Sequence, residues 1–320
     1  MIVVLLNFFS NLERIFSIIV AGGSRPSVMN VVEVLTGDHK TKQLPTLPED
    51  NYFSTLVLHN GTILLCGGCE NYRKKSLKLD HSSWTEHSKL NQERFDHSAV
   101  TAQTNLFIFG GMKSATTYEY LLKDTTMWLP GKTEIPKGFS KGCAIAVKSE
   151  QEIWLIGGYG SPNNLGLPSK ENEKRILRFN VNDHTFQLMH SQLNISRSGH
   201  RCAFIPNTNK IMITGGAGGH NDWFLNSTEI LDTQDGNIIM ASPMNFKRRE
   251  HGMGVVTIDG KERLAVFGGR IGGPNGHDLD TVEIYNTLTE KWEITDIKME
   301  QPKSNFGFLT LNHSHILSIT

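Results

Sequence analysis

Short apolar runs recur along the chain, and six of them end in a glycine pair: SIIVAGG at Gly22-Gly23, TILLCGG at Gly67-Gly68, LFIFGG at Gly110-Gly111, IWLIGG at Gly157-Gly158, IMITGG at Gly215-Gly216 and LAVFGG at Gly268-Gly269. Successive pairs stand 45, 43, 47, 58 and 53 residues apart. The runs are too short for helices and rich in Ile, Leu, Val and Phe, which predicts strands bounded by turns. A near-constant period of this length is the mark of a repeat architecture.

Each unit carries the same further signals. After a polar loop comes a second strand-like run: VVEVLTG (31–37), KSLKLD (75–80), TTYEYLL (116–122), KRILRFN (174–180), STEILD (227–232) and TVEIYN (281–286). A turn and then often an aromatic follow, as at Trp84, Trp128, Phe186 and Trp292, and an alternating strand such as HSAVTA (97–102) or GCAIAV (142–147) precedes the next glycine pair. Four short strands per repeat describe one blade of a β-propeller. A blade cannot bury both faces alone, so blades stack around an axis. The glycines would leave the strand in a conformation closed to residues with a Cβ, and the aromatics would fill the wedge between blades. The first unit lacks its innermost strand, and NFGFLTLN (305–312) supplies one at the other end of the chain. Pairing the two closes a ring of six four-stranded blades and removes the open edges. HILSIT (315–320) is left over, as a spare edge strand or the start of a seventh blade.

These residues resemble the kelch family, whose pattern sets a glycine pair after the second strand, a Tyr or Glu in the third, and a Trp after the following turn. TVEIYNTLTEKW, from Thr281 to Trp292, follows it closely, and the resemblance covers roughly residues 15 to 319. It implies an all-β kelch propeller that binds a protein or peptide partner rather than catalysing. Many kelch proteins carry BTB and BACK domains ahead of the propeller and serve a cullin ubiquitin ligase; these 320 residues have no room for them, so that role is expected only if the chain is a fragment of a longer protein. Actin binding by some relatives is likewise only implied. Kelch-like propellers also occur in galactose oxidase and in sialic acid epimerases, so a carbohydrate-active or carbohydrate-binding propeller is the alternative. Oxidase chemistry would need a copper site with a Tyr-Cys crosslink, for which Tyr159 and Cys202 are present; an epimerase would need an acid and a base in the channel, such as Glu250 or His251.

Charge changes the picture little. Lys+Arg and Asp+Glu balance at 32 each, so no overall field favours nucleic acid or an anionic membrane. Residues 1–9, MIVVLLNFF, are too short to span a bilayer but have the length of a signal-peptide core. Residues 1–17 are therefore read as a signal peptide or N-terminal tail, with the propeller over 18–320 and secretion favoured over the cytoplasm. Cys66 and Cys69 have redox-motif spacing, but Gly67-Gly68 between them opens no helix, so plain strand or turn cysteines are expected; a disulfide among Cys66, Cys69, Cys143 and Cys202 remains open if the protein is secreted.

Strand alternation puts the loops between second and third strands on one face with those joining successive blades. The long ones there are 159–172, 217–226 and 270–280. Loops on a rigid scaffold are the usual seat of binding, which makes Arg25, Arg73, Tyr159, His220, Trp223, Arg270 and His277 the candidate contacts. The glycine pairs and Trp84, Trp128 and Trp292 are read as scaffold. Arg94 with His97, Arg197 with His200, and Arg249 with His251 recur ahead of the innermost strand, which points to structural hydrogen bonding. AGGHND (217–222) is no dinucleotide fingerprint, because a strand rather than a helix follows. HExxH and GxSxG are absent, no histidine spacing supports a metal, and the four Asn-x-Ser/Thr acceptors (Asn60, Asn194, Asn226, Asn312) do not decide the compartment. No catalytic residue, cofactor or metal is assigned, and a monomer is expected.

Overall fold

The computed structural model describes residues 14–15, 17–24, 29–36, 41–80, 82–160, 173–218, 224–258, 260–272 and 276–311. The second strand of each repeat reads as an unbroken apolar run because it lies mid-blade with blades on both sides. Asn105–Phe109, for example, is buried from Leu106 onward. Outer strands such as Phe186–Leu188 are shorter and more exposed.

Six antiparallel sheets result. Blade 1 is Ser17–Ala21, Val32–Thr36 and Thr41–Gln43 with Gly307–Leu311 as its innermost strand. Blade 2 is Thr55–His59, Thr62–Cys66, Lys75–Asp80 and Ser83–Lys89. Blade 3 is Ser98–Ala102, Asn105–Phe109, Tyr118–Leu121 and Trp128–Pro130. Blade 4 is Cys143–Val147, Glu152–Ile156, Ile176–Asn180 and Phe186–Leu188. Blade 5 is Arg201–Phe204, Lys210–Thr214, Thr228–Asp232 and Ile238–Ala241. Blade 6 is Gly252–Ile258, Lys261–Phe267, Thr281–Asn286 and Lys291–Lys298.

The ring closes as the sequence predicts: Ser17 to Ala21 pair with Leu311 to Gly307 in antiparallel register. Arg14 and Ile15 add a pairing the sequence did not announce, with Ile258 and Thr257 on the inner strand of blade 6. Residues 1–13 and HILSIT lie outside the described residues, so the leader and the leftover strand are not placed.

All twelve glycines of the pairs have positive φ. The requirement is plainest at Gly110, where an added Cβ would lie 1.8 Å from the Phe139 carbonyl oxygen of the next linker. The aromatics fill the seams: Trp84 packs with Val34, Leu47 and Leu56 between blades 1 and 2, and its indole donates to the Pro45 carbonyl at 2.9 Å. Trp128 does the same between blades 2 and 3, donating to Ser88 Oγ at 2.9 Å.

In four of the six blades a buried ion pair ties the linker to its blade. Arg94 reaches Glu119 at 2.8 Å, Arg197 reaches Glu229 at 2.7 Å and Arg248 reaches Glu283 at 2.7 Å. Each guanidinium also donates to the first glycine of the blade's pair, Gly110, Gly215 or Gly268, at 2.7 Å. Lys303 and Glu33 repeat the pair at 2.7 Å across the ring closure. Blades 2 and 4 dispense with it: buried Asn51 and Leu77 occupy the two positions in blade 2, and buried Phe139 and Leu177 in blade 4.

Two of the recurring histidines hydrogen-bond across the seams, and the arginine that matches Arg94 and Arg197 in the third case is Arg248 rather than the expected Arg249. His97 hydrogen-bonds Thr55 of the preceding blade at 2.7 Å, and His251 bonds Thr214 of blade 5 at 2.9 Å. Burial, with Arg94 adding to it, pushes the His97 imidazole down to about 3. Cys143 and Cys202 form a disulfide, Cα to Cα 6.0 Å, between the innermost strands of blades 4 and 5. Cys66 and Cys69 are buried and outside the disulfide, as plain strand and turn cysteines would be. Burial raises the Cys66 thiol far above its ordinary value.

Candidate functional site: the mouth of the axial channel

The residue three before each innermost strand's second position occupies a special place. Phe53, Asp96, Lys141, Gly199, Glu250 and Asn305 all have φ between 51° and 62°. Positive φ turns each N–H toward the preceding blade. Phe53 donates to Asn305, Asp96 to Phe53, Lys141 to Asp96, Gly199 to Lys141, Glu250 to Gly199 and Asn305 to Glu250, at 2.7–3.1 Å. The six bonds form a closed belt around the axis. Five of the six residues are not glycine, so the belt holds them in a backbone conformation that costs about 1–2 kcal/mol each for an L-residue. Such strain persists where the surroundings over-determine it and clusters at functional sites.

Inside the belt is a cavity of about 200 Å³, lined among others by Phe53, Asp96, Lys141, Arg201, Glu250 and Phe308. Lys141 Nζ lies 3.1 Å from Glu250 and 3.4 Å from Asp96, and 4.9 Å from the centre of the Phe53 ring. Burial pushes the Asp96 carboxyl up to about 6; Lys141 pulls it back and Glu250 pushes it further. Glu250 is desolvated too, but Lys141 and Arg249 hold its carboxyl below the usual range. Lys141 is raised despite desolvation, because both carboxylates stabilise its charge.

A rim surrounds the belt. The residue after five of the six glycine pairs bridges the linker: Ser24 with Ser304, Met112 with Phe95, Tyr159 with Ser140, Ala217 with Ser198, and Arg270 with Arg249. Tyr159 and Arg270 of the expected contacts thus stand on this rim. Arg270 is tied to Asp278 at 3.4 Å, and Asp278 accepts from Ser304 beside the belt. Arg73 lies over the Phe95 ring at 6.0 Å and 3.8 Å from Glu93. His277 is exposed on the same loop as Arg270. Arg25, His220 and Trp223 lie outside the described residues.

Sequence reasoning passed over the belt itself, apart from Glu250. Its signal was the second residue after the recurring arginine, in RFDH, RSGH and RREH, where variation between repeats hid a common backbone role. Two details of the carbohydrate alternative fail. His251 is fully buried in a seam, so it is not a channel base. Cys202 is bonded to Cys143, so it is not available for a Tyr-Cys crosslink. Among the described residues, no group of three or more His, Cys, Asp or Glu is arranged to hold a metal ion, and no helix is long and apolar enough to cross a membrane.

The kelch motif family matches residues 251–295, the last complete repeat. With six four-stranded blades and the glycine-pair period, that match decides the family. The chain is a kelch-repeat propeller. A RING finger domain and kelch repeat-containing protein of Dictyostelium discoideum is 23% identical over 222 residues, 69% of this chain. The aligned part is 20% of that protein, so the chain corresponds to about a fifth of its length. The solved structure of YjhT superposes with a TM-score of 0.66 over 82% of this chain and 88% of that one. At 14% identity this likeness concerns the fold alone.

Proposed function

We propose that this kelch propeller is a non-catalytic binding module that docks a protein or peptide partner on the loop face, with one polar group of the partner entering the axial cavity. The observation that carries this reading is the charge-lined cavity at the centre of the rim. About 200 Å³ is below the roughly 300–1,000 Å³ of ordinary ligand pockets and suits one side chain. Both carboxylates at the mouth are engaged by Lys141, an arrangement that holds charge in place. In the Dictyostelium relative the kelch repeats belong to a much longer protein, as a docking propeller would. The Cys143–Cys202 disulfide favours secretion, because such bonds persist in oxidising compartments.

The test is proximity crosslinking of the full chain in its native tissue. Partners captured by the wild type should be lost from a Tyr159→Ala/Arg73→Ala rim variant and retained by Asn60→Ala, whose hairpin turn links first and second strands and so faces the other way. Equal capture by both variants would sink the reading. A small-molecule or carbohydrate-active propeller is the second reading. Asp96 favours it, since a carboxyl near 6 suits proton transfer close to neutral pH. Binding of free sugars to the wild type, lost in Asp96→Asn, would support that reading over the first.

A further inference from the structure

One step inside the belt, the innermost strands present a tier of equivalent residues: Thr55, Ser98, Cys143, Arg201, Gly252 and Gly307. Five are small, and Arg201 is the one charged residue among them. Its guanidinium reaches past blade 6, where Nε donates to the His251 carbonyl at 2.8 Å, and lies 5.5 Å from the ring centre of Phe308 in blade 1. Nη1 donates to the His200 carbonyl at 3.2 Å.

The other buried cations of the linkers and mouth have carboxylate partners: Arg94, Arg197, Arg248, Lys303 and Lys141. Arg175 is held by the Pro136 and Gly138 carbonyls, away from the cavity. Among the described residues Arg201 has no carboxylate within ion-pair distance and no hydrogen bond from Nη2, yet it lines the cavity. A desolvated guanidinium without a counter-ion is costly, and its planar fork matches a carboxylate. Around it stand Asp96 and Glu250, which attract its charge from a distance, and the cations Lys141 and Arg249. With Arg201 these make three positive groups against two negative, and the elevated Asp96 carboxyl trims the negative side further.

We infer that Arg201 anchors a carboxylate subsite within the axial cavity, filled by an acidic side chain of a docked partner or by a small free carboxylic acid. The subsite rests on the binding reading above and gives the polar group a chemical class. Bound, the carboxylate would take the unused Nη donors and lie against Phe308, with room for little more than a short acid.

The experiment uses the full chain and three probes in isothermal titration: capped Gly-Glu-Gly, its capped Gly-Gln-Gly counterpart, and succinate. The Glu peptide or succinate should bind, weaken with salt, and lose at least tenfold in affinity in Arg201→Met. The unliganded Arg201→Met protein should melt no lower than wild type, since the substitution removes an uncompensated charge. Should that variant fail to fold, Arg201→Lys keeps a charge without the fork and should show an intermediate loss. Tighter binding of the Glu peptide assigns the subsite to a partner's side chain. Tighter binding of succinate assigns it to a free acid, which upholds the subsite while contradicting the partner part of the proposed function. No carboxylate binding, equal binding of the Gln peptide, or affinity unchanged by Arg201→Met overturns the inference. Failure of rim-dependent partner capture, by contrast, would leave the result with succinate standing.

Discussion

Arg248 and Glu283 are fully buried and 2.7 Å apart, so each is tolerable only with the other. Arg248→Met should cost about 3–5 kcal/mol by leaving a bare buried carboxylate. The double variant Arg248→Phe/Glu283→Leu should recover most of that loss in urea denaturation, because blade 4 uses Phe139 and Leu177 at those positions. The seam histidines act through pH. His97 titrates near 3 when folded against about 6.5 unfolded, so between those values the unfolded chain holds more protons and stability falls as pH drops. Asp96 has the opposite sign: raised to about 6, it holds more protons in the folded protein between about 3.9 and 6, and acidification favours the fold. The melting temperature should fall from pH 7 to 4, and fall more steeply in Asp96→Asn, where the opposing group is gone. A shallower fall in that variant would contradict the assignment.

Among local elements, the glycine-pair turn and the hairpin turn make different demands. Gly110 and Gly61 both have positive φ, 62° and 74°. A Cβ on Gly110 would strike the Phe139 carbonyl oxygen at 1.8 Å, while one on Gly61 would meet nothing within 4 Å. Gly61→Ala should therefore cost only the left-handed strain, about 1–2 kcal/mol. Gly110→Ala should cost clearly more, because the linker must move and the Arg94 bond to the Gly110 carbonyl moves with it. Chemical denaturation of the two variants side by side reads the difference.

Taken whole, the molecule is held shut in three ways: the Gly307–Leu311 strand, the Lys303–Glu33 pair and the belt bond from Phe53 to Asn305 all join the chain's far end to its beginning. The Cys143–Cys202 staple lies elsewhere, between blades 4 and 5. Replacing both cysteines by serine should lower stability by about 2–4 kcal/mol without opening the ring. Ending the chain at Gln301 should abolish the single cooperative melt, because blade 1 then loses its innermost strand. Calorimetry distinguishes the two outcomes.

Strand period, turn residues and glycine pairs act over a few neighbours, so local pattern sufficed for the blades, their number, the ring closure and the aromatic wedges. It also gave His97 and His251 a structural role. The charged mouth escaped it. Asp96, Lys141, Arg201 and Glu250 come from four different repeats, each 45 to 60 residues from the next, and each reads alone as an ordinary charged residue at the start of a strand. Only closing the ring brings them to one axis, removes their water and makes their charges depend on one another. The same closure brings Cys143 to Cys202, a pairing no spacing could choose among four cysteines. Repetition is visible in one dimension, whereas convergence on an axis exists only after the sixth blade meets the first.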